Sequence, residues 1–104
     1  MRSAEIRVHG RRAGLLKEIE RTHRYELVYD EGYEGPPISL TLPVRAAPYA
    51  FDCFPPFFDG LLPEGAQLEA LLRLHKIDRS DHFAQLLAVG RDMVGAVTAL
   101  PVGE

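Results

Sequence analysis

Groups able to do chemistry are few in this 104-residue chain, and their spacing decides what they can do. Four histidines, His9, His23, His75 and His82, are spread over segments that read as strand, loop and two helices, whereas a metal site needs ligands converging at short spacings. Cys53 is the only cysteine, so an internal disulfide is excluded and a structural zinc site lacks thiols. Its apolar, proline-rich surroundings predict a buried thiol. Nucleophilic catalysis needs an activated Ser or Cys beside a base, and no G-x-S-x-G turn or catalytic-cysteine pattern is present. Phosphoryl transfer needs a phosphate loop, a lysine on the phosphates and magnesium-holding acids. Here Phe58-Asp59-Gly60 is not the Asp-Phe-Gly order, Lys17 and Lys76 are the only lysines, and no H-R-D-type loop followed by Asn occurs. Asp52, Asp59 and Glu64 sit among aromatics, where surface solvation or helix capping accounts for them. The chain therefore reads as non-catalytic, with no metal and no cofactor.

The elements that must position these groups follow from periodicity. Glu5 to His9 alternates polar and apolar, Gly10 to Gly14 supplies turn residues, and Leu15 to Ile19 resumes the pattern, which predicts a hairpin. Tyr25 to Tyr29 has the aromatic and β-branched content of a third strand. Ile38-Ser39-Leu40-Thr41-Leu42 alternates again, predicting a fourth strand with Ile38, Leu40 and Leu42 buried and Pro43 ending it. From Pro43 to Pro63, prolines interrupt an apolar stretch containing Tyr49, Phe51, Phe54, Phe57 and Phe58, so only short helical turns fit, with a candidate helix over Pro56 to Leu62. Leu68, Leu71, Leu72 and His75 recur at helical spacing and predict an amphipathic helix over about Glu64 to Lys76, with His75 half-buried. Asp78 or Ser80 is the expected cap of the next helix, with Asp81 in its first turn, Phe83, Leu86 and Leu87 inward and Gly90 at its end. Ala96 to Leu100, entered through Gly95 and closed by Pro101, reads as a last strand. The order predicts an α+β fold, a small antiparallel sheet of about four to five strands with two to three helices, forming one domain over residues 1–104.

Charge is uneven. Met1 to Arg24 holds seven Arg/Lys against three acids, and Tyr25 to Glu69 holds one Arg against eight acids. A nucleic-acid binder needs clustered cations, which only the first hairpin offers through Arg11, Arg12, Arg21 and Arg24; these read as a solvated edge, leaving Arg11 and Arg12 as a weak phosphate contact. No apolar run is long enough to span a bilayer and the first residues lack a signal-peptide pattern, which predicts a cytoplasmic protein.

One arrangement is specific. Leu40-Thr41-Leu42-Pro43 and Tyr49 precede Phe57-Phe58-Asp59-Gly60-Leu61-Leu62-Pro63-Glu64-Gly65, and Gly90-Arg91-Asp92-Met93-Val94-Gly95-Ala96-Val97 follows. This resembles the N-terminal subdomain of HipA-type serine/threonine kinases over nearly the whole chain. The sequence begins at Met1 and stops at Pro101-Val102-Gly103-Glu104, where that subdomain ends, so the resemblance implies a stand-alone, HipS-like antitoxin. Such a protein binds and neutralises a HipT-like kinase toxin, with a HipB-like helix-turn-helix DNA-binding protein as third member of a HipBST system. The alternative it leaves open is a non-inhibitory subunit completing a split kinase. Aromatic, proline-rich loops supply rigid apolar area at low entropy cost, so the expected partner contacts are Phe51, Phe54, Pro55, Pro56, Phe57, Phe58, Asp59, Leu61, Leu62 and Glu64, the two acids pairing with cations of a basic cleft. The plainer reading makes Phe57, Phe58, Leu61 and Leu62 mostly core, with the exposed members of the segment carrying the contact.

Overall fold

A computed structural model describes residues 1–91 and 96–102. β1 (Arg2–Val8) and β2 (Arg11–Glu20) are joined by His9 and Gly10, both at positive φ, the two-residue turn whose twist matches a right-handed hairpin. A register shift at Ile6/Arg7 leaves Ala13 and Gly14 both buried, so the apolar side of β2 stays aligned with that of β1. β3 (Arg24–Tyr29) pairs with β2, β4 (Tyr49–Phe51) with β3, and β5 (Val97–Pro101) returns to pair with β1. Among the described residues the result is one antiparallel sheet in the order β4-β3-β2-β1-β5, with three helices. The expected α+β class is thereby met. Alternation puts Ala4, Ile6, Val8, Leu16, Leu27 and Ala99 on one face, where they are buried.

The fourth strand is not where alternation placed it. Ile38 to Leu42 holds only an isolated bridge between Ser39 and Leu42, and Leu40 is 94% exposed. Prolines at 36, 37 and 43 flank the segment, and the Leu42 N–H bonds the Ser39 carbonyl at 3.0 Å to close a tight turn. Ile38 and Leu42 are buried as the two feet of that turn rather than as one strand face. Strand β4 forms instead from Tyr49-Ala50-Phe51 after Pro48.

α1 (Pro56–Asp59) is shorter than the Pro56 to Leu62 expectation and starts on proline, whose missing N–H costs nothing there. α2 (Gly65–His75) lies within the expected range. α3 (His82–Val89) is capped by Asp81, whose Oδ1 accepts the Ala84 N–H at 3.1 Å, rather than by Asp78 or Ser80. Phe83 and Leu86 point into the core as expected. Gly90 does end α3, but in right-handed conformation; what demands glycine is close approach, since a Cβ there would lie 1.9 Å from the Ala99 carbonyl oxygen, beside the hydrogen bond from Ala99 N–H to the Gly90 carbonyl at 3.0 Å. Gly95, the expected entry to the last strand, and with it residues 92–95 of the expected turn 90–97 lie outside the described residues.

Candidate functional site

The segment Phe51 to Glu64 divides into residues that build the core and residues that face out. Phe54 is buried with its ring edge-on to Tyr25, centroids 5.4 Å apart, and Tyr25 in turn stacks on Phe83 at 6.4 Å. Pro55 and Phe58 are fully buried. These three are therefore taken up by the chain's own interior and are withdrawn from the contact set. Phe51, Phe57, Leu61 and Leu62 are half-buried, while Pro56, Asp59 and Glu64 are exposed. Phe57 rests edge-on against Phe58 at 5.2 Å, so a core ring holds a rim ring in place. Successive backbone bonds, Asp59 N–H to Pro55, Gly60 N–H to Pro56, Leu61 N–H to Phe58 and Leu62 N–H to Asp59, all 3.0–3.1 Å, fix the direction in which Leu61 and Leu62 leave α1.

Beyond this turn runs α2, which buries no residue completely. Leu68, Leu71 and Leu72 are half-buried and Leu74 is 78% exposed. His75, expected to be half-buried, is exposed, as is Cys53, whose expected burial fails because it sits on a bend between β4 and Phe54 rather than under it. Leu74 was missed because it falls about 120° around the helix from Leu68, off the apolar stripe. A depression of about 240 Å³ opens between Asp59, Leu62 and Leu68 on one side and Arg79, His82 and Gln85 on the other. Arg79 is tied to Glu69 at 2.6 Å, and among the described residues neither Asp59 nor Glu64 has an ion-pair partner.

What fixes α3 against the sheet is a buried ion cluster. Arg2 Nε and Nη2 donate to the two Glu18 oxygens at 2.7 and 2.8 Å, and Nη1 and Nη2 donate to the two Asp81 oxygens at 3.0 and 2.9 Å, a bidentate fork on each carboxylate. The Arg2 guanidinium also lies over the Phe83 ring at 5.2 Å. Burial pulls the Glu18 carboxyl upward, but hydrogen bonds from Arg2 and the Thr22 N–H outweigh it and hold it below its ordinary value. For Asp81, burial is likewise outweighed, by Arg2 and the Ala84 N–H. Burial and the adjacent Glu18 push the Tyr25 hydroxyl up to about 12.

The first-hairpin cations are largely matched within the chain. Arg7 pairs with Glu5, Arg12 with Asp30 at 2.8 Å, Arg21 with Asp81 at 3.7 Å and Arg24 with Glu20 at 4.0 Å, while Arg11 lies over Tyr33 at 5.6 Å. Phosphate binding would have to break these pairs. Among the described residues no three His, Cys, Asp or Glu side chains converge in a metal-holding group, and no helix is long and apolar enough to cross a membrane.

The geometry is thus an apolar rim with two unmatched acids, raised on a rigid core. A family model for the HipA N-terminal domain matches residues 4–100. The chain belongs to the HipA N-terminal domain family. The solved N-terminal domain of HipA toxin superposes with a TM-score of 0.78 at 34% identity, covering 100% of this chain and 95% of that one. An uncharacterized protein of Haemophilus influenzae is 39% identical over 98 residues, covering 93% of this chain and 90% of that protein. Two Sinorhizobium fredii proteins named as proposed kinases, Y4mE and Y4dM, are 38% and 32% identical; the chain spans only 16% and 26% of their lengths. The HipA N-terminal domain thus occurs both in a relative of about this size and as a small part of longer chains, as a domain separate from the kinase catalytic domain.

Proposed function

We propose that this HipA N-terminal domain acts as a HipS-like antitoxin, binding a HipT-type serine/threonine kinase and neutralising it, with a HipB-like DNA-binding protein in the larger complex. The observation that carries this reading is α2. An isolated helix of 11 residues is marginal in water, and this one buries no residue completely while leaving Leu74 78% exposed, as expected of a face completed by a second protein. Leu62, Asp59 and Glu64 line the same depression as Leu68 at the start of α2, and among the described residues the two acids have no ion-pair partner. The kinase relatives support the choice of partner, since in them the same domain is joined to a much longer chain.

The same two relatives favour a second reading, in which the domain completes a split kinase and leaves it active. Co-expression with a HipT-type kinase separates the two: restored growth supports neutralisation, and increased phosphorylation supports completion. Leu74→Lys tests the face itself. Lysine suits the last turn of a helix, where it complements the dipole, so the melting temperature should stay within about 2 °C of the parent. Kinase affinity should fall about 30-fold, as for loss of an interface hot spot, and growth rescue should disappear. Undiminished rescue would remove α2 from the contact.

A further inference from the structure

Gln85 is a polar side chain in the buried row of α3, 2% exposed beside Leu86. Burying an amide costs free energy unless its hydrogen bonds are replaced, so its partners show what keeps it there. Its Nε2 donates to the carbonyls of Asp78 and Arg79 at 3.3 and 3.0 Å. Both belong to the link between α2 and α3.

That link is fastened at both ends. Lys76 closes α2 in left-handed conformation, φ 54°, and the N–H groups of Lys76 and Ile77 share the Leu72 carbonyl. The Asp78 carbonyl accepts the Asp81 N–H at 3.0 Å as well as the Gln85 amide, and Asp81 is itself held by Arg2 and caps α3. From the other end, Arg79 returns to α2 through Glu69 at 2.6 and 2.8 Å. α2 packs on α3 and α3 on β5, so the direction in which α2 presents Leu74 is passed out from the sheet through α3 and this link. With no fully buried residue of its own, α2 is poorly equipped to fix that direction alone.

We infer that Gln85 is a positioning residue for kinase recognition: from beneath the surface it holds the link 76–81, and with it α2, in the orientation that the kinase meets. At 2% exposure it touches no partner itself. This rests on the kinase-binding reading above and adds what prepares the α2 face for it. A helix already held in its bound orientation loses less freedom on association, so the two hydrogen bonds to the link are expressed as affinity.

Gln85→Met keeps most of the side-chain volume and removes both donors, and the carbonyls it abandons belong to exposed residues that water reaches. In the free full chain, hydrogen exchange of the α2 amides should quicken about tenfold while the amides of β1 and β2 keep their parental rates. Titrated against a purified HipT-type kinase, the variant should bind about fivefold more weakly, and this loss should vanish when Leu74→Lys has already removed the α2 contact. A role in stability alone would lower the melting temperature and leave the affinity of the folded chain unchanged. Parental exchange in α2, a rise shared equally by the strands, parental kinase affinity, or an equal loss in the Leu74→Lys background would each overturn the positioning role while leaving the kinase-binding reading intact. Absence of binding by the parent chain would overturn both.

Discussion

Phe58→Ala should destabilise the domain by about 4 kcal/mol, the usual cost of emptying a fully buried phenylalanine site. A domain of this size has roughly 5–15 kcal/mol in total, so the melting temperature should fall by roughly 15 °C or more. Phe57→Ala, one residue away, removes a half-buried ring and should cost only about 1 kcal/mol, while reducing kinase affinity about tenfold. Paired thermal melts and titrations give the comparison. A Phe58→Ala protein that melted like its parent and failed only in binding would mean that Phe58, and not Phe57, is the contact. Phe58→Leu keeps most of the volume and should retain both fold and binding, which guards against mistaking unfolding for a lost contact.

The second large effect concerns Arg2. Arg2→Ala strands two carboxylates with side-chain exposures of only 4% and 14%, for Glu18 and Asp81, and should cost about 3 kcal/mol above neutral pH. The dependence on acid should weaken. In the parent, both carboxyls sit below their ordinary 4.5 and 3.8, so the stability they confer is present above those values and is lost as pH falls through the depressed folded values. Without Arg2, burial opposes ionisation of both carboxyls, while the Thr22 N–H still bonds Glu18 and the Ala84 N–H and Arg21 still favour ionised Asp81. The variant therefore loses less than its parent on acidification, and its deficit should narrow between neutral and acid pH. Denaturant melts across that range measure it; a deficit independent of pH would show that Arg2 acts by packing on Phe83 rather than by charge.

Which of these features the residues alone disclose depends on how far apart their causes lie. Strands β1, β2 and β3 are legible because local alternation coincides with a single buried face. Ile38 to Leu42 shows the same alternation and misleads, because two buried residues four apart fit the feet of a turn as well as a strand, and only the Tyr29 hydroxyl, nine residues away from Ile38, selects the turn. The Asp81 cap escapes for a related reason: Asp78, Ser80 and Asp81 are all competent, and the choice is made by Arg2, 79 positions distant in sequence. The Arg2–Glu18 half is hidden as well: counting back from the His9–Gly10 turn sets Arg2 opposite Lys17, and only the one-residue shift at Ile6/Arg7 brings it opposite Glu18. In the candidate site, the Phe51 to Glu64 segment is visible as a pattern, but composition cannot sort its aromatics. Phe58 goes inward and Phe57 stays at the rim because adjacent positions of the single turn α1 project about 100° apart, and Phe54 is turned inward by the bend that precedes it.

As proposed, this domain silences a separate kinase by covering it. The most direct test is the phosphotransfer rate of a purified HipT-type kinase, followed as the chain is added. A saturable fall to background is expected, displaced about 30-fold to higher chain concentration by Leu74→Lys. A rate that stays unchanged at chain concentrations far above those of the kinase, with no complex formed, would contradict it.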